Sequence, residues 1–225
     1  MGESMDWSPL TLSLRAAGIA TVITFFIGIF AAWKVAWMRH GAGIWDAVFT
    51  LPLVLPPTVV GFFLLVFFGK ASGIGKWLAQ FGIQIVFTWV GVVIASTVVA
   101  FPLMYRTARG AFEQMDTDLI DAGRTLGLSE TAIFWRVVFP NCLPGIISGT
   151  VLTFARALGE FGATIMLAGN IPGKTQTLAI AVYSAVQLGH YEAAYRWVAV
   201  IVTISLLSIL GMNAVNARQK QKGRG

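Results

Sequence analysis

Long apolar segments separated by short polar ones make up most of the chain. Five windows carry no charged residue, over 16–33, 47–69, 77–105, 137–155 and 197–217, and the first extends back to Leu10 past Arg15. A helix that crosses a bilayer core needs about 20 mostly apolar residues, because each residue adds 1.5 Å to its length. The pattern therefore predicts an all-α polytopic membrane protein with five spanning helices.

The segment 161–191 is mostly apolar but is broken by Gly-Asn-Ile-Pro-Gly-Lys at 169–174. Its second half is more polar than the five windows, so we expect a short interfacial or re-entrant helix over 175–188. The alternative is a sixth span. Proline is favoured at the first position of a helix. We therefore expect the fourth span to contain a helix that starts at Pro144 and runs to about Ala168.

The composition agrees with a membrane protein. Charged residues make up 12% of the chain and hydrophobic residues 56%, whereas a soluble domain has about 25% charged residues. This argues against a soluble enzyme, a disordered chain and a nucleic-acid-binding protein. The formal net charge of +6 is then a sign of basic loops on the cytoplasmic face.

The distribution of Lys and Arg predicts the orientation of the chain. With five spans, the loop between the third and fourth windows lies on the same side of the membrane as the C-terminus, and the N-terminus lies on the opposite side. Ten basic residues lie on one side, including the basic tail at 218–225, and four lie on the other: Lys70, Lys76, Lys174 and Arg196. Because cytoplasmic loops carry the excess of basic residues, we expect the C-terminus inside and the N-terminus outside.

The longest polar stretch is 106–136, and the segment 113–140, which overlaps it, is called the elbow below. Asp116 or Thr117 can cap a first short helix, and Gly127 can end it in the left-handed conformation. Ser129 can cap a second helix that ends at Pro140. Two capped helices joined by a glycine form a compact projection. We interpret the elbow as a docking site for a partner, and the alternative is a solvated loop.

The elbow also carries a family resemblance. Asp121-Ala122-Gly123, three residues, Gly127, nine residues and a hydrophobic run that ends at Pro140 resemble the EAA loop of ABC importer permeases, Glu-Ala-Ala-x3-Gly-x9-Ile-x-Leu-Pro. Asp121 replaces Glu, Gly123 replaces the second Ala, and Val137 and Phe139 replace Ile and Leu. The resemblance implies that the elbow is a coupling helix that docks on an ATP-binding subunit.

Two further runs, Leu-Pro-Leu-Val-Leu-Pro-Pro-Thr-Val-Val-Gly at 51–61 and Phe-Ala-Arg-Ala-Leu-Gly-Glu-Phe-Gly-Ala-Thr at 154–164, are similar to molybdate permease subunits. The likeness extends from about Leu10 to Asn216. It implies a single transmembrane domain over 1–225 in a bacterial or archaeal cytoplasmic membrane. It also implies a homodimer, two ATP-binding subunits that hold ATP and Mg, an extracytoplasmic oxyanion-binding protein, and no cofactor or metal in this chain. Tungstate and sulfate/thiosulfate permeases share much of the pattern.

Four residues within the predicted spans are candidates for the transport pathway. Arg156 and Glu160 are four residues apart and share one helix face, and charges within a membrane usually face a cavity or a partner. Pro56 and Pro57 interrupt the second span. The alternatives are a structural ion pair and a kink that serves packing alone.

Two other classes of protein fit the sequence less well. An ion-coupled secondary transporter is expected to carry inverted repeats and ion-binding carboxylates in its spans, but no repeat is visible and Glu160 is the only acid well inside a predicted span. A membrane enzyme would need a cluster of His, Cys or carboxylate residues. The two histidines, His40 and His190, are expected on opposite faces.

Overall fold

The computed structural model describes the backbone of residues 6–222 and the side chains of residues 6–214, and all of its regular elements are helices. The all-α prediction is confirmed. The helices are α1 (Ser8–Ala36), α2 (Ala42–Val54), α3 (Pro57–Phe68), α4 (Gly73–Gln80), α5 (Trp89–Glu113), α6 (Thr117–Thr125), α7 (Glu130–Ile133), α8 (Phe139–Leu158), α9 (Gly162–Ala168), α10 (Leu178–Gln187) and α11 (Tyr191–Lys222), with a π-helical turn at Phe134–Val138 between α7 and α8. The predicted basic tail begins in the last turn of α11, and its side chains lie outside the described residues.

Within the described residues, four helical segments are long and apolar enough to cross a membrane: Ser8–Ala36, Trp89–Glu113, Glu130–Leu158 and Tyr191–Ala214. The pair α2 and α3 passes the same test when taken together, with axes bent by 108° at the break between them, and counting it as one broken span gives five. The short apolar helix α10 comes in addition. This matches the prediction of five spans and one short helix.

The helix ends fall into two groups that define two faces of the molecule. On the elbow side, Trp33 of α1 packs against Phe134 with ring centroids 4.9 Å apart. On the far side, Trp7 packs edge to face against Trp197 at 5.9 Å, and the Leu178 N–H donates to Ser13 Oγ at 2.8 Å. The N-terminal end of α1 and the elbow therefore lie on opposite faces.

The central helix α5 packs against α1 on one side and α8 on the other, and small residues allow the close approach. Gly28 of α1 lies against Met104, and Gly149 of α8 lies against Thr107. Tyr105 and Phe112 are fully buried between these helices. The elbow-side core is built around them, so α5 is fixed to both neighbours.

The predicted third span, 77–105, is wrong at both ends. The helix begins at Trp89 and continues to Glu113, while α4 and a non-helical stretch occupy the start of the window. Thr88 is the physical reason, because its side chain accepts from the Gly91 N–H and caps α5. Gly82 and Phe87 have positive φ values of 70° and 59°, which interrupt any helix before that cap.

The predicted helix from Pro144 to Ala168 is also wrong. The helical segment begins at Glu130, and Pro140 lies inside it instead of ending it. The π-helical turn absorbs the change in register, with the Phe139 N–H donating to the Phe134 carbonyl. The segment ends at Leu158, and after a break at 159–161 α9 begins at Gly162.

Candidate functional site

The elbow is built from local signals that match its sequence. Asp116 caps α6 by accepting from the Asp118 N–H at 3.0 Å. Gly127 has a φ of 76°, and its N–H donates to the Arg124 carbonyl at 2.9 Å. Ser129 caps α7 by accepting from the Ala132 N–H at 3.3 Å. The predicted caps and the predicted stop are confirmed, and together they turn the chain sharply between α6 and α7.

Arg124 joins the two halves of the elbow. Its Nε and Nη2 atoms donate to Glu130 at 2.8 and 3.2 Å, and its Nη1 donates to Asp121 at 3.0 Å. The hydrogen bonds to Glu130 and then to Asp121 raise the pKa of the Arg124 guanidinium. All three side chains are more than half exposed, so the bonds shape the surface and add little to stability.

The inner face of the elbow is packed onto the spans. Ile120 and Gly123 are buried, and a Cβ added at Gly123 would lie 3.1 Å from Ile133 Cγ1. Trp33 of α1 contacts Phe112 of α5 as well as Phe134, with centroids 5.6 Å apart. The elbow is therefore in direct contact with α1 and α5 through Trp33, and its second half is continuous with α8.

The outer face of the elbow presents an apolar residue that the sequence reasoning missed. Leu126, directly before Gly127, is 80% exposed. Asp121 and Ala122 are also exposed, as are Gly127 and Pro140. Of the residues that the resemblance assigned to coupling, only Gly123 is buried. The leucine beside the glycine stop was the available signal, because a helix-ending Gly leaves its neighbour at the tip of the projection.

Arg109 forms a hub that sequence reasoning also missed. Its Nη1 lies 2.5 Å from Asp46 Oδ1, and its Nε donates to Glu113 at 2.7 Å. Tyr105 Oη donates to the same Asp46 oxygen at 3.2 Å. The helix α2 has no buried residue, so this network is its main polar attachment to α5 and to the start of the elbow.

We expect Asp46→Asn to lower the free energy of unfolding by about 1 kcal/mol, because the ion pair is only partly exposed and is the main polar contact between α2 and α5. Thermal unfolding of the purified protein in detergent measures the change. Glu192→Gln is the matched control, since Glu192 is 94% exposed and 3.9 Å from Arg196. Equal midpoints for the two variants would show that the Arg109 hub does not hold α2.

The predicted contact between Arg156 and Glu160 is present. Arg156 Nη1 donates to Glu160 Oε2 at 2.7 Å, although α8 ends between them at Leu158. The other oxygen, Oε1, accepts from the Ala163 N–H at 2.7 Å, in the first turn of α9. Glu160 is 2% exposed, and both of its oxygens are bonded. The contacts are those of a structural pair and a helix cap, and a pathway role for either residue stays a prediction.

The breaks in the second and fourth spans contact each other. The α2 helix ends with the Leu55 N–H bonded to Leu51, and α3 begins after Pro56. A Cβ added at Gly162 would lie 2.9 Å from Pro57 Cβ, and one added at Gly61 would lie 2.7 Å from the Ala163 Cα. The structure thus places Pro56 and Pro57 beside the segment that holds Glu160.

The described residues contain no group of three or more His, Cys, Asp or Glu side chains that could hold a metal ion. The polar features of the described chain are instead the elbow, the Arg109 hub and the pair of breaks. Together with the bundle of apolar helices, they define a helical membrane protein with a polar projection packed against its spans.

The same fold is present in solved transporters. A chain of the inward-facing MetNI methionine ABC transporter matches with a TM-score of 0.74, covering 97% of this chain and 99% of that one at 18% identity. The fold is therefore that of a type I ABC importer permease. Residues 24–221 match the model of the family described as binding-protein-dependent transport system inner membrane component, and the chain belongs to this family. It is a multi-pass transport subunit of the inner membrane that works with a separate ATPase and a substrate-binding protein.

Three relatives place the chain more closely. The putative molybdenum transport system permease protein YvgM of Bacillus subtilis (strain 168) is 45% identical, covering 93% of each chain. The molybdenum transport system permease protein ModB of Escherichia coli (strain K12) is 43% identical, covering 91% of each. The sulfate transport system permease protein CysT of the same organism is 33% identical, covering 92% of this chain and 75% of its own.

Proposed function

We propose that this chain is the permease subunit of an ATP-driven importer that moves molybdate across the cytoplasmic membrane. The observation that carries the proposal is the identity of 42–45% to molybdenum permeases over more than nine-tenths of both chains. The identity to sulfate permeases is lower, at 33–35%, so molybdate is favoured over sulfate. Tungstate, which resembles molybdate, remains an alternative for the experiment below.

We propose a homodimer of this chain with two ATP-binding subunits docked at the elbow. ATP and Mg bind to those subunits, and the oxyanion-binding protein docks on the far side. In this arrangement the N-terminus is outside and the C-terminus cytoplasmic. The basic residues Lys34, Arg39, Arg106, Arg109, Arg124 and Arg136 on the elbow side support this orientation.

The coupling step follows from the packing of the elbow. When the ATP-binding subunits close, they displace the outer face of the elbow, which includes Asp121, Ala122 and Gly127. The buried face, with Gly123 against Ile133, passes the displacement to the spans. Pro140 lies where the π-helical turn joins α8, and such a turn is a place where a helix can change register.

The proposed gate lies where the two broken spans meet. Pro56 and Pro57 form a bend that can change its angle without breaking regular helical hydrogen bonds. Arg156 has a side chain that is 29% exposed, and it can attract an oxyanion on one side while Glu160 holds it in place. Alternating access would then arise from movement of α3 against α9.

Reconstitution into liposomes with the ATP-binding subunit and the binding protein tests the proposal. We expect the binding protein loaded with molybdate to stimulate ATP hydrolysis and uptake, and the sulfate-loaded protein to stimulate neither. Stimulation by sulfate but not by molybdate would contradict the assignment. Stimulation by tungstate alone would change the assigned substrate from molybdate to tungstate and would leave the assignment as an importer unchanged.

A further inference from the structure

A cavity of about 620 Å³ opens between the elbow-side ends of α5 and α8 and the start of α6. Polar and small side chains line much of it, and the features discussed above do not account for it. Its polar lining consists of Arg106, Thr107, Gln114, Asp116 and Asn141. Its floor is formed by small residues, and a Cβ added at Gly145 would lie 2.7 Å from Ala111 Cβ.

Arg106 brings a positive charge without an ion-pair partner to this cavity. Its neighbour Arg109 is engaged by Asp46 and Glu113, and Arg124 is engaged by Asp121 and Glu130. Arg106 has no ion pair with any residue that the structure describes, and it is exposed at the cavity. An unpaired guanidinium offers five N–H donors in a planar arrangement that suits oxyanions.

The other polar groups of the cavity are compatible with an anion. The Asn141 amide donates one hydrogen to the Val137 carbonyl at 2.7 Å, which leaves its second amide hydrogen available. Gln114 supplies another amide. Asp116 is the one carboxylate in the lining, and one of its oxygens accepts from the Asp118 N–H as the cap of α6. The cavity therefore combines one unpaired cation with neutral donors, and its one carboxylate is used in part as the cap of α6.

We propose that this cavity binds a tetrahedral oxyanion on the cytoplasmic side of the transporter, with Arg106 as its cation and Asn141 as a further donor. The proposal rests on the proposed function, because the cavity would then be a binding site that the transported anion occupies as it leaves the spans. The volume is in the range of small-molecule sites. Because the cavity is also lined by Asp116, the cap of α6, and by Leu119 within α6, an anion bound there lies beside the segment proposed to dock the ATP-binding subunit.

Thiol labelling tests the binding directly. The only cysteine, Cys142, is buried, so a Cys142→Ala background is used with Gln114→Cys as a reporter at the cavity rim. We expect molybdate to slow labelling by an anionic thiol reagent in solubilised protein, and the added Arg106→Gln change to abolish this protection. Equal protection with and without Arg106, or no protection, would overturn the proposal.

Repeating the labelling with sulfate and with phosphate distinguishes a site for the transported anion from a site that binds any cytoplasmic anion. Protection by molybdate at a lower concentration than by sulfate or phosphate supports a site for the transported anion. Protection by phosphate or sulfate alone overturns it. The labelling uses the permease without its binding protein, so its failure is distinct from a failure of molybdate to stimulate ATP hydrolysis.

Uptake by the reconstituted complex gives the second readout. We expect Arg106→Gln to lower the maximal uptake rate about tenfold, because it removes a charged hydrogen-bond donor, without changing the half-saturating concentration of loaded binding protein. Arg106→Lys should keep most of the rate. Lys76→Gln removes the same charge from the exposed surface of α4 and should have no effect. An equal loss in Lys76→Gln would contradict the proposal.

Discussion

Glu160→Ala lowers the free energy of unfolding by about 3 kcal/mol, of which about 1 kcal/mol is the lost helix cap. The expectation follows from burial, since the carboxylate is 1% exposed and bonds both Arg156 and the first turn of α9. Arg156 is left without its partner in a partly buried position. Thermal unfolding in detergent and the amount of protein in the membrane measure the effect.

Two further variants separate the contributions of charge and cap. Glu160→Gln keeps an acceptor for the Ala163 N–H and should recover about 1 kcal/mol. Arg156→Met leaves a nearly buried carboxylate without its cation and should cost at least as much as Glu160→Ala. The double variant Arg156→Met with Glu160→Gln should cost less than the sum of the single losses. A Glu160→Ala loss within about 0.5 kcal/mol, as for a surface residue, would contradict the account.

Leu126→Asp is expected to weaken binding of the ATP-binding subunit by at least about tenfold, because it places a charge at the apolar tip of the proposed docking surface. Leu126 is 80% exposed, so the fold of the permease itself should not change. Retention of the ATP-binding subunit during purification of the complex is the measurement. Uptake should fall in parallel with retention.

The matched control is Leu188→Asp, at a leucine after α10 that is 69% exposed. This variant makes the same leucine-to-aspartate change on the far side of the molecule. Its complex should retain the ATP-binding subunit at the parental level. If both variants lose the subunit equally, the elbow is not the docking surface.

The parts of the fold that the sequence predicted well are those specified by short-range chemistry. Asp116, Gly127 and Ser129 act within three residues along the chain, so their caps and turn could be read directly. The spanning segments were visible because a bilayer sets their length. The contact of Arg156 with Glu160 was likewise within one helical turn in sequence.

The errors occurred where an apolar run contained a break that carries little polarity. The start of α5 depends on the hydroxyl of Thr88 within a hydrophobic stretch. The end of α8 depends on a turn at Gly159, followed by a buried carboxylate that caps the next helix. Hydrophobicity marks such segments as membrane-embedded but does not distinguish one long helix from two short ones.

The Arg109 hub and the polar cavity could not be predicted, because they join residues that are distant in sequence. Asp46 and Arg109 lie on different helices, and Arg106 and Asn141 line one cavity only because α5 and α8 pack against each other. In the sequence alone, each of these residues is only a charged or amide side chain near the end of a span. Their roles depend on tertiary packing.

Site-directed cross-linking tests whether the elbow of this permease docks the ATP-binding subunit. In a Cys142→Ala background, Leu126→Cys and Gln80→Cys place one thiol on the elbow and one on α4 at the far side. A short thiol-to-amine reagent should join Leu126→Cys to the ATP-binding subunit and leave Gln80→Cys uncoupled. Cross-linking through Gln80→Cys but not through Leu126→Cys would contradict the account.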